Sequence, residues 1–264
     1  ISDTDSASDY VLENSTNGTV VGITAFASDA DGTDTVSYSL DDTAGGRFTI
    51  HAVTGVVTVA GAIDREAAGT YNITVRATST DTSTVTRVFT ITIGDVNEFS
   101  VTAPTDTNAT TNQVNENVAI GTTVGVTANA FDLDATNNAI TYTLENNPGN
   151  LFAINATTGI VTVAAGLDYE TATSHTIRIR AASADGSTST RDVTIAVTDV
   201  NESVISAITD NDNATDYVFE NAANGTSVGI TAFAFDADGS DIVSYGLDDN
   251  AGGLFAIDAS TGIV

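Results

Sequence analysis

The segments YNITVRA at residues 71–77 and FTITI at residues 89–93 decide the fold class. Apolar and polar residues alternate in both, as they do in the run Ile73, Thr74 and Val75. A period of two is typical of a β-strand with one buried face. The same alternation returns in a later repeat, at Ile177, Ile179 and Ala181 and then at Val193, Ile195 and Val197. The chain is therefore predicted to be rich in half-buried strands.

Turn-forming dipeptides separate these apolar runs at short intervals. They are Asn17-Gly18, Asp31-Gly32, Gly45-Gly46, Thr54-Gly55, Thr158-Gly159, Asp185-Gly186 and Asn224-Gly225. The many β-branched residues between the turns favour strands. About seven short strands per repeat fit a β-sandwich. The sequence thus predicts an all-β fold of tandem, immunoglobulin-like Greek-key β-sandwiches.

A Glu-Asn pair marks an internal repeat, because it begins at Glu13, Glu116 and Glu220, with spacings of 103 and 104 residues. Each unit of such an array contacts only its neighbours. The chain begins in a linker and ends within a repeat, so we expect it to be an internal piece of a longer protein. The predicted domains are a first repeat at residues 1–98, a second repeat at 99–202 and a truncated third repeat at 203–264.

The hydrophobic cores are predicted from apolar residues that recur at equivalent positions. They are Phe26, Tyr38, Leu40, Phe48 and Ile50, then Ala130, Tyr142, Leu144, Phe152 and Ile154, then Phe233, Tyr245, Leu247, Phe255 and Ile257. Some of these side chains would line a ligand site in the alternative interpretation, but their recurrence in every repeat favours core packing.

Acidic motifs recur at constant offsets in the repeats. Asp-Val-Asn-Glu stands at residues 95–98 and 199–202, and an Asp-x-Asp follows each Glu-Asn pair at the same distance. A solvated surface tolerates drift in the position of its charges, whereas a site for a polyvalent cation does not. Calcium takes about six to eight oxygen ligands, more than one loop supplies. The pattern indicates calcium sites; the alternative is a set of solvated loop acids in Asx-turns.

Composition argues against several classes of partner. The 35 acidic and 7 basic residues give a formal net charge of −28, which disfavours nucleic acids and anionic membrane surfaces. No apolar run reaches the roughly 20 residues of a transmembrane helix, so no membrane span is expected in this segment. The chain has no cysteine, so disulfides and thiolate chemistry are excluded.

Taken together, the acidic motifs resemble those of the cadherin repeat. Its early Glu-Asn…Gly-Thr segment is similar to Glu13-Asn14 with Gly18-Thr19, and its Asp-x-Asp to residues 29–31. Its Leu-Asp-Arg-Glu is similar to residues 63–66, and its Asp-x-Asn-Asp-Asn linker to residues 95–98. The second repeat has the variant Asp-Tyr-Glu at residues 168–170. The resemblance covers the whole chain, with the motifs in the family's order.

The resemblance implies about three calcium ions at each junction between repeats. At the first junction, the implied ligands of two ions are Glu13, Asp64, Glu66, Asp95, Glu98 and the Val96 carbonyl. The implied ligands of the third ion are Asn97, Asp132, Asp134, Asp185 and carbonyls near Phe99 and Asn137. At the second junction they are Glu116, Asp168, Glu170, Asp199, Val200, Asn201, Glu202, Ser203, Asp236 and Asp238. Asp29, Asp31 and Asp81 would serve a junction with a preceding repeat.

The sequence departs from the family pattern in the linker. The second linker Asp of the family is replaced by Glu98 and by Glu202, whose side chains are one methylene longer. The last Asn of the motif is replaced by Phe99 and by Ser203, which retain the backbone carbonyl. The Thr-, Ala- and Asp-rich composition resembles the arrays of bacterial surface adhesins of the repeats-in-toxin type.

Paired carboxylates such as Asp64 and Glu66 also occur in glycosidases, but a catalytic pair seldom recurs in every module. His51 and His175 do not recur and are expected at the surface or at a strand edge. We therefore do not expect an enzyme.

The resemblance implies an extracellular or cell-surface array, expected to be bacterial, that is stiffened by calcium and acts as an adhesin or extender. Its expected partners are calcium and neighbouring repeats. The alternatives are recognition of a polysaccharide or of identical chains, and self-assembly into a filament. Exposed aromatics would favour sugar binding, and the aromatics outside the predicted core to check are Tyr10, Tyr217, Phe99, Phe131 and Phe235.

Overall fold

The computed structural model describes residues 1–238 and 240–264. Its regular structure consists of β-strands and a short 3₁₀ helix at Pro148–Asn150. The contacts group the chain into two compact units. The first contains Ile1–Ala103, Ala130–Thr141 and Ala181–Ser189, and the second contains Pro104–Asn129, Tyr142–Arg180 and Thr190–Val264. In the described part of the chain, no helix has the length and hydropathy to cross a membrane.

Two four-stranded sheets form the sandwich of the first repeat. One sheet has the order β1-β3-β6-β5 and the other the order β2-β8-β7-β4. Strand β2 runs parallel to β8, and the other pairings in these sheets are antiparallel. The strands are β1 (Ser2–Asp3), β2 (Tyr10–Leu12), β3 (Val20–Phe26), β4 (Val36–Asp42), β5 (Phe48–Ile50), β6 (Val56–Val59), β7 (Thr70–Ser79) and β8 (Thr84–Gly94).

The strands that follow repeat this order. The two sheets are β13-β14-β11-β9 and β10-β16-β15-β12, and a two-stranded sheet β17-β18 comes last. The fold prediction of tandem β-sandwiches is confirmed. The strands are β9 (Thr105–Asp106), β10 (Gln113–Asn115), β11 (Thr123–Asn129), β12 (Ile140–Asn146), β13 (Phe152–Ile154), β14 (Ile160–Val163), β15 (Ser174–Ser183), β16 (Thr188–Thr198), β17 (Thr209–Asp210) and β18 (Ala232–Phe233).

Alternation along the strands builds the core of the first repeat. In β3 the side chains of Val21, Ile23 and Ala25 are buried. Ile73 in β7 and Ile91 in β8 are fully buried. Because successive side chains of a strand point to opposite faces, one register places all of these residues inside. The strands predicted at residues 71–77 and 89–93 lie within β7 and β8.

The predicted core is confirmed for the first two repeats, with one error. Phe26 is 53% exposed. It follows Ala25, whose side chain points inward, so the pleat turns Phe26 outward. The buried core predictions are Tyr38, Phe48, Ala130, Tyr142 and Phe152, and the half-buried ones are Leu40, Ile50, Leu144 and Ile154.

The core prediction fails for much of the third repeat. Phe233, Leu247 and Phe255 are exposed, whereas Tyr245 and Ile257 are half-buried. The described residues among 203–264 form no counterpart of β7 and β8, the two longest strands of the first repeat. Leu247 and Phe255, which such strands would cover, therefore face solvent. Phe233 points outward for the same reason as Phe26, its counterpart in the first repeat.

Replacing Ile91 by Ala should lower the free energy of unfolding by about 2–5 kcal/mol, because a fully buried side chain leaves a cavity. Val88→Ala is the matched control, since Val88 lies in the same strand and is 57% exposed. Urea denaturation followed by circular dichroism measures both variants. Equal effects of the two substitutions would contradict this assignment of the core.

Amides of residues 217–219 and 243–249 should exchange hydrogen faster than their counterparts in β2 and β4, by about two orders of magnitude or more. The counterparts pair with β8 and β7, whereas these two segments lie outside strands. Hydrogen exchange read by mass spectrometry tests this within one sample. Equal protection of the two sets would show that the third repeat closes without those strands.

Candidate metal junctions

Glu13 connects two segments at one end of the first sandwich. Strand β2 pairs in parallel with β8, and the register of Leu12 with Gly94 places Glu13 next to the linker at residues 95–98. The Glu13 side chain is only 2% exposed. One carboxylate oxygen accepts the backbone N–H of Arg65 at 2.6 Å, and the other accepts that of Val96 at 2.8 Å. Glu13 thus holds the loop after β6 against the linker.

Three acids converge at this end of the sandwich. One carboxylate oxygen from each of Glu13, Asp64 and Glu66 lies within 4.8 Å of the others. Residues 63–66 follow β6, and the Asp64 carboxylate accepts the N–H of Ala67 at 3.1 Å. Neighbouring carboxylates repel one another unless protons or cations intervene. This arrangement can bind a cation through oxygen atoms from two loops.

A second group of acids holds the other side of the same linker. One oxygen of Asp134 accepts the backbone N–H groups of Glu98 and Phe99, both at 3.2 Å. Asp134 is 1% exposed, and Asp132 beside it is also buried. Oxygens of Asp132, Asp134 and Asp185 lie within 4.8 Å of one another. The Asp-x-Asp motif therefore both positions the linker and presents carboxylates.

Further contacts join these groups within the first compact unit. Glu66 accepts the N–H of Ala135 at 2.8 Å, and Asp95 accepts the N–H of Thr136 at 2.9 Å as well as its hydroxyl. The Asn97 amide donates to Asp185 at 2.8 Å. We call the group formed by the linker 95–98 and these acids the first junction.

Several carboxylate oxygens at the junctions are buried without a hydrogen-bond partner. They are Asp95 Oδ1, Asp132 Oδ2, Asp134 Oδ2 and, at the other linker, Asp199 Oδ1. A buried, unpaired charge is costly, so such groups are normally paired or coordinate a metal. Calcium prefers carboxylate and carbonyl oxygens. The donor set therefore fits a hard divalent cation.

Burial and the close approach of acidic side chains shift pKa values at the first junction. Loss of solvent, and then repulsion by the Glu13 carboxylate, raise the pKa of Glu66 and of Glu98 above the ordinary glutamate value. The Thr136 hydroxyl bond instead lowers the pKa of Asp95. A bound cation would favour the ionised form of every one of these groups.

The second junction lies in the second compact unit and repeats this geometry. Glu116 is 1% exposed and accepts the N–H groups of Tyr169 at 2.7 Å and Val200 at 2.9 Å. Asp238 accepts the N–H of Ser203 at 3.0 Å, and the N–H of Asp238 donates to Asp236 at 3.2 Å. Two groups have their oxygens within 4.8 Å of one another, namely Glu116, Asp168 and Glu170, and Glu116, Asp199 and Glu202.

Sequence reasoning missed two acids that follow the Asp-x-Asp motif. Asp241 accepts the amide of Asn201 at 2.7 Å, as Asp185 accepts that of Asn97 at the first junction. Asp34, at the equivalent position of the first repeat, lies with Asp29 and Asp81 within 4.8 Å. The signal was the constant offset of five residues from the first Asp of the motif, where the second repeat has Asn137.

The remaining predicted residues lie as follows. Asn137 has a left-handed backbone with φ of 55°, and its carbonyl accepts the Ser183 hydroxyl at 3.1 Å. Asp31 is exposed, and its N–H donates to Asp29 at 3.0 Å. His51 is exposed, and His175 packs its ring edge on Phe152 with the centroids 5.9 Å apart. The five aromatics named for sugar binding are all exposed.

Comparison with known proteins shows the family of the chain. The family model of the cadherin domain matches residues 9–94 and 110–198, more than half of the chain. The chain belongs to the cadherin family. Protocadherin Fat 1 of Homo sapiens is 31% identical over 96% of this chain, which spans 6% of that relative. Cadherin-4 of Caenorhabditis elegans is 31% identical over 59% of the chain and 4% of the relative.

Solved cadherin structures share the fold. The crystal structure of mouse cadherin-23 EC22-24 has a TM-score of 0.73 and 28% sequence identity, covering 97% of this chain and 83% of that one. Cadherin repeats generally bind calcium at the junctions between repeats, and the cadherin homologues are extracellular or cell-surface proteins. The relatives named here are animal proteins, and they give no support to a bacterial origin.

Proposed function

We propose that this chain is a calcium-stiffened array of cadherin repeats that acts as an adhesive or spacer segment of a longer extracellular or cell-surface protein. The observation that carries the proposal is the set of buried, unpaired carboxylate oxygens on Asp95, Asp132 and Asp134. These oxygens come from the linker itself and from the Asp-x-Asp loop that follows it. A cation bound there joins both, so calcium fixes the linker, and no catalytic role is required.

The proposed ion sites of the first junction follow the two groups of acids. Two ions use Glu13, Asp64, Glu66, Asp95 and Glu98 with the Val96 carbonyl. The third uses Asn97, Asp132, Asp134 and Asp185 with the carbonyls of Phe99 and Asn137. About three calcium ions would offset six of the eight carboxylate charges in these sets. The close approach of oxygens among Glu13, Asp64 and Glu66, and among Asp132, Asp134 and Asp185, supports this division.

The second junction is proposed to bind calcium through the equivalent residues. They are Glu116, Asp168, Glu170, Asp199, Val200, Asn201, Glu202, Ser203, Asp236 and Asp238, and we add Asp241. Asp29, Asp31 and Asp81, together with Asp34, are proposed to serve a junction with a preceding repeat. These assignments place the repeat boundaries at residues 98/99 and 202/203, outside the segments that the family model matches.

Binding to a polysaccharide, homophilic binding and filament assembly stay predictions, as does a bacterial host. The composition motivates the bacterial hypothesis, and the exposed aromatics motivate sugar binding. Tyr10, Tyr217 and Phe131 are 44%, 57% and 53% exposed.

Asp134→Asn should weaken calcium binding at the first junction roughly tenfold or more, because it removes a ligand charge from a buried site. Asp31→Asn is the matched control, since Asp31 holds the same motif position in the first repeat and contributes to neither junction. Isothermal titration calorimetry compares the two variants. A loss of equal size in both would show that overall charge, and not the junction, determines binding.

Chelation should leave the β-sandwiches largely folded but free the linkers. The far-ultraviolet circular dichroism is expected to stay nearly constant, because each core is built from apolar residues. Small-angle scattering should show a changed radius of gyration and a more flexible profile without calcium. Asp134→Asn measured at low calcium should resemble the chelated protein. If the scattering profile is unchanged on chelation, calcium does not stiffen the linkers.

A further inference from the structure

Asn14 connects the same two segments as Glu13, which precedes it. Its backbone N–H donates to the Ile63 carbonyl at 3.2 Å, which ties it to the loop after β6. Its side-chain amide donates to Glu98 Oε1 at 3.2 Å. The backbone of Asn14 is left-handed, with φ of 54°, a conformation that glycine and asparagine adopt most readily. Asn14 therefore combines a left-handed backbone with a side-chain amide that donates to the Glu98 carboxylate.

The second repeat has the same arrangement. Asn117 has φ of 55°, and its N–H donates to the Leu167 carbonyl at 3.4 Å. Its side-chain amide donates to Glu202 Oε1 at 2.8 Å. The loops that surround the two asparagines differ, since one contains Asp-Arg-Glu and the other Asp-Tyr-Glu. The contact between the asparagine amide and the linker glutamate therefore recurs although the middle residue of that loop motif changes.

The chemistry of an amide suits this role. The amide nitrogen donates hydrogen bonds and cannot accept them, so it orients one carboxylate oxygen and leaves the other free for another partner. Unlike an arginine or a lysine, it carries no charge and does not offset the negative charge that attracts a cation. Glu98 and Glu202 stand where the family pattern has the shorter Asp. The extra methylene adds reach and one more rotatable bond, which the amide restrains.

We propose that Asn14 and Asn117 are positioning residues that hold the linker carboxylates Glu98 and Glu202 for calcium coordination. The inference rests on the proposed calcium function. It assigns a role to the asparagine of each Glu-Asn pair and accounts for the glutamate at the end of each linker. Calcium binding at these junctions depends on the pair as a unit, so the effects of changing either member are coupled.

The test uses Asn14→Gly, which removes the amide but keeps a residue suited to positive φ. Its control is Asn221→Gly, because Asn221 has φ of 59° and the 264 residues contain no counterpart of Glu98 for it. Calcium titration calorimetry of the full chain should show a dissociation constant at the first junction raised about threefold to tenfold by Asn14→Gly alone. An equal effect of the two substitutions would overturn the proposal.

A double-mutant cycle tests the coupling directly. Glu98→Asp withdraws the carboxylate from Asn14 by one methylene and should weaken calcium binding by a similar factor. The double variant Asn14→Gly/Glu98→Asp should lose no more than either single variant. Additive losses, or calcium binding by Glu98→Asp as tight as in the unchanged protein, would contradict the proposed pairing.

A metal-free measurement separates this inference from the proposed function. In excess chelator, Glu98→Asp should shift the side-chain amide resonances of Asn14 in an NMR spectrum and leave those of Asn221 unchanged. If the unchanged protein takes up no calcium, the proposed function fails, and the role proposed for Asn14 fails with it. If calcium binds but the Asn14 resonances do not respond to Glu98→Asp, the positioning role alone fails.

Discussion

The repulsion between carboxylates that are removed from water is the constraint on which the junctions depend. Glu13, Glu116 and Asp134 are almost fully buried, and unpaired oxygens of Asp95 and Asp199 are shielded from solvent. Burial of an uncompensated charge costs several kcal/mol, of the order of a domain's whole stability. Backbone N–H groups offset part of this free-energy cost by donating hydrogen bonds to Glu13 and Asp134. The remaining carboxylate oxygens are buried without a hydrogen-bond partner, and a bound divalent cation would offset the free-energy cost of burying them.

The sandwich explains why these acids come together. The parallel pairing of β2 with β8 brings Glu13 to the start of the linker at residues 95–98, and the loop after β6 reaches the same end of the sandwich. Each element contributes one or two acids, and none contributes a full coordination shell. Long-range strand pairing and the linker contacts therefore assemble the first junction from residues that are up to 172 positions apart, as Glu13 and Asp185 are. The proposed ion sites therefore depend on the fold of the sandwich.

Much of this was predictable because two signals in the sequence are periodic. Alternation in residues 71–77 and 89–93 predicted the strands. The constant offsets of Glu13, Asp64 and Asp132 indicated cation sites, and the resemblance to the cadherin repeat implied which acids share them. Phe26 was placed in the core because it is aromatic, although its phase relative to Ala25 turns it outward. The same phase turns Phe233 outward, whereas the exposure of Phe255 depends on strands that the described residues among 203–264 do not form, which residue type alone does not reveal. The partnership of Asn14 with Glu98 depends on a left-handed backbone, which spacing does not encode.

The central claim is that cations occupy the junctions and contact the carboxylate oxygens that the protein leaves unpaired. A crystal structure of the chain grown with calcium, with the ions located by their anomalous scattering, tests this most directly. The account predicts peaks at each linker with oxygen ligands at about 2.3–2.6 Å, among them Asp95 Oδ1, Asp134 Oδ2 and Asp199 Oδ1. Water at these positions, with no anomalous peak at saturating calcium, would contradict it.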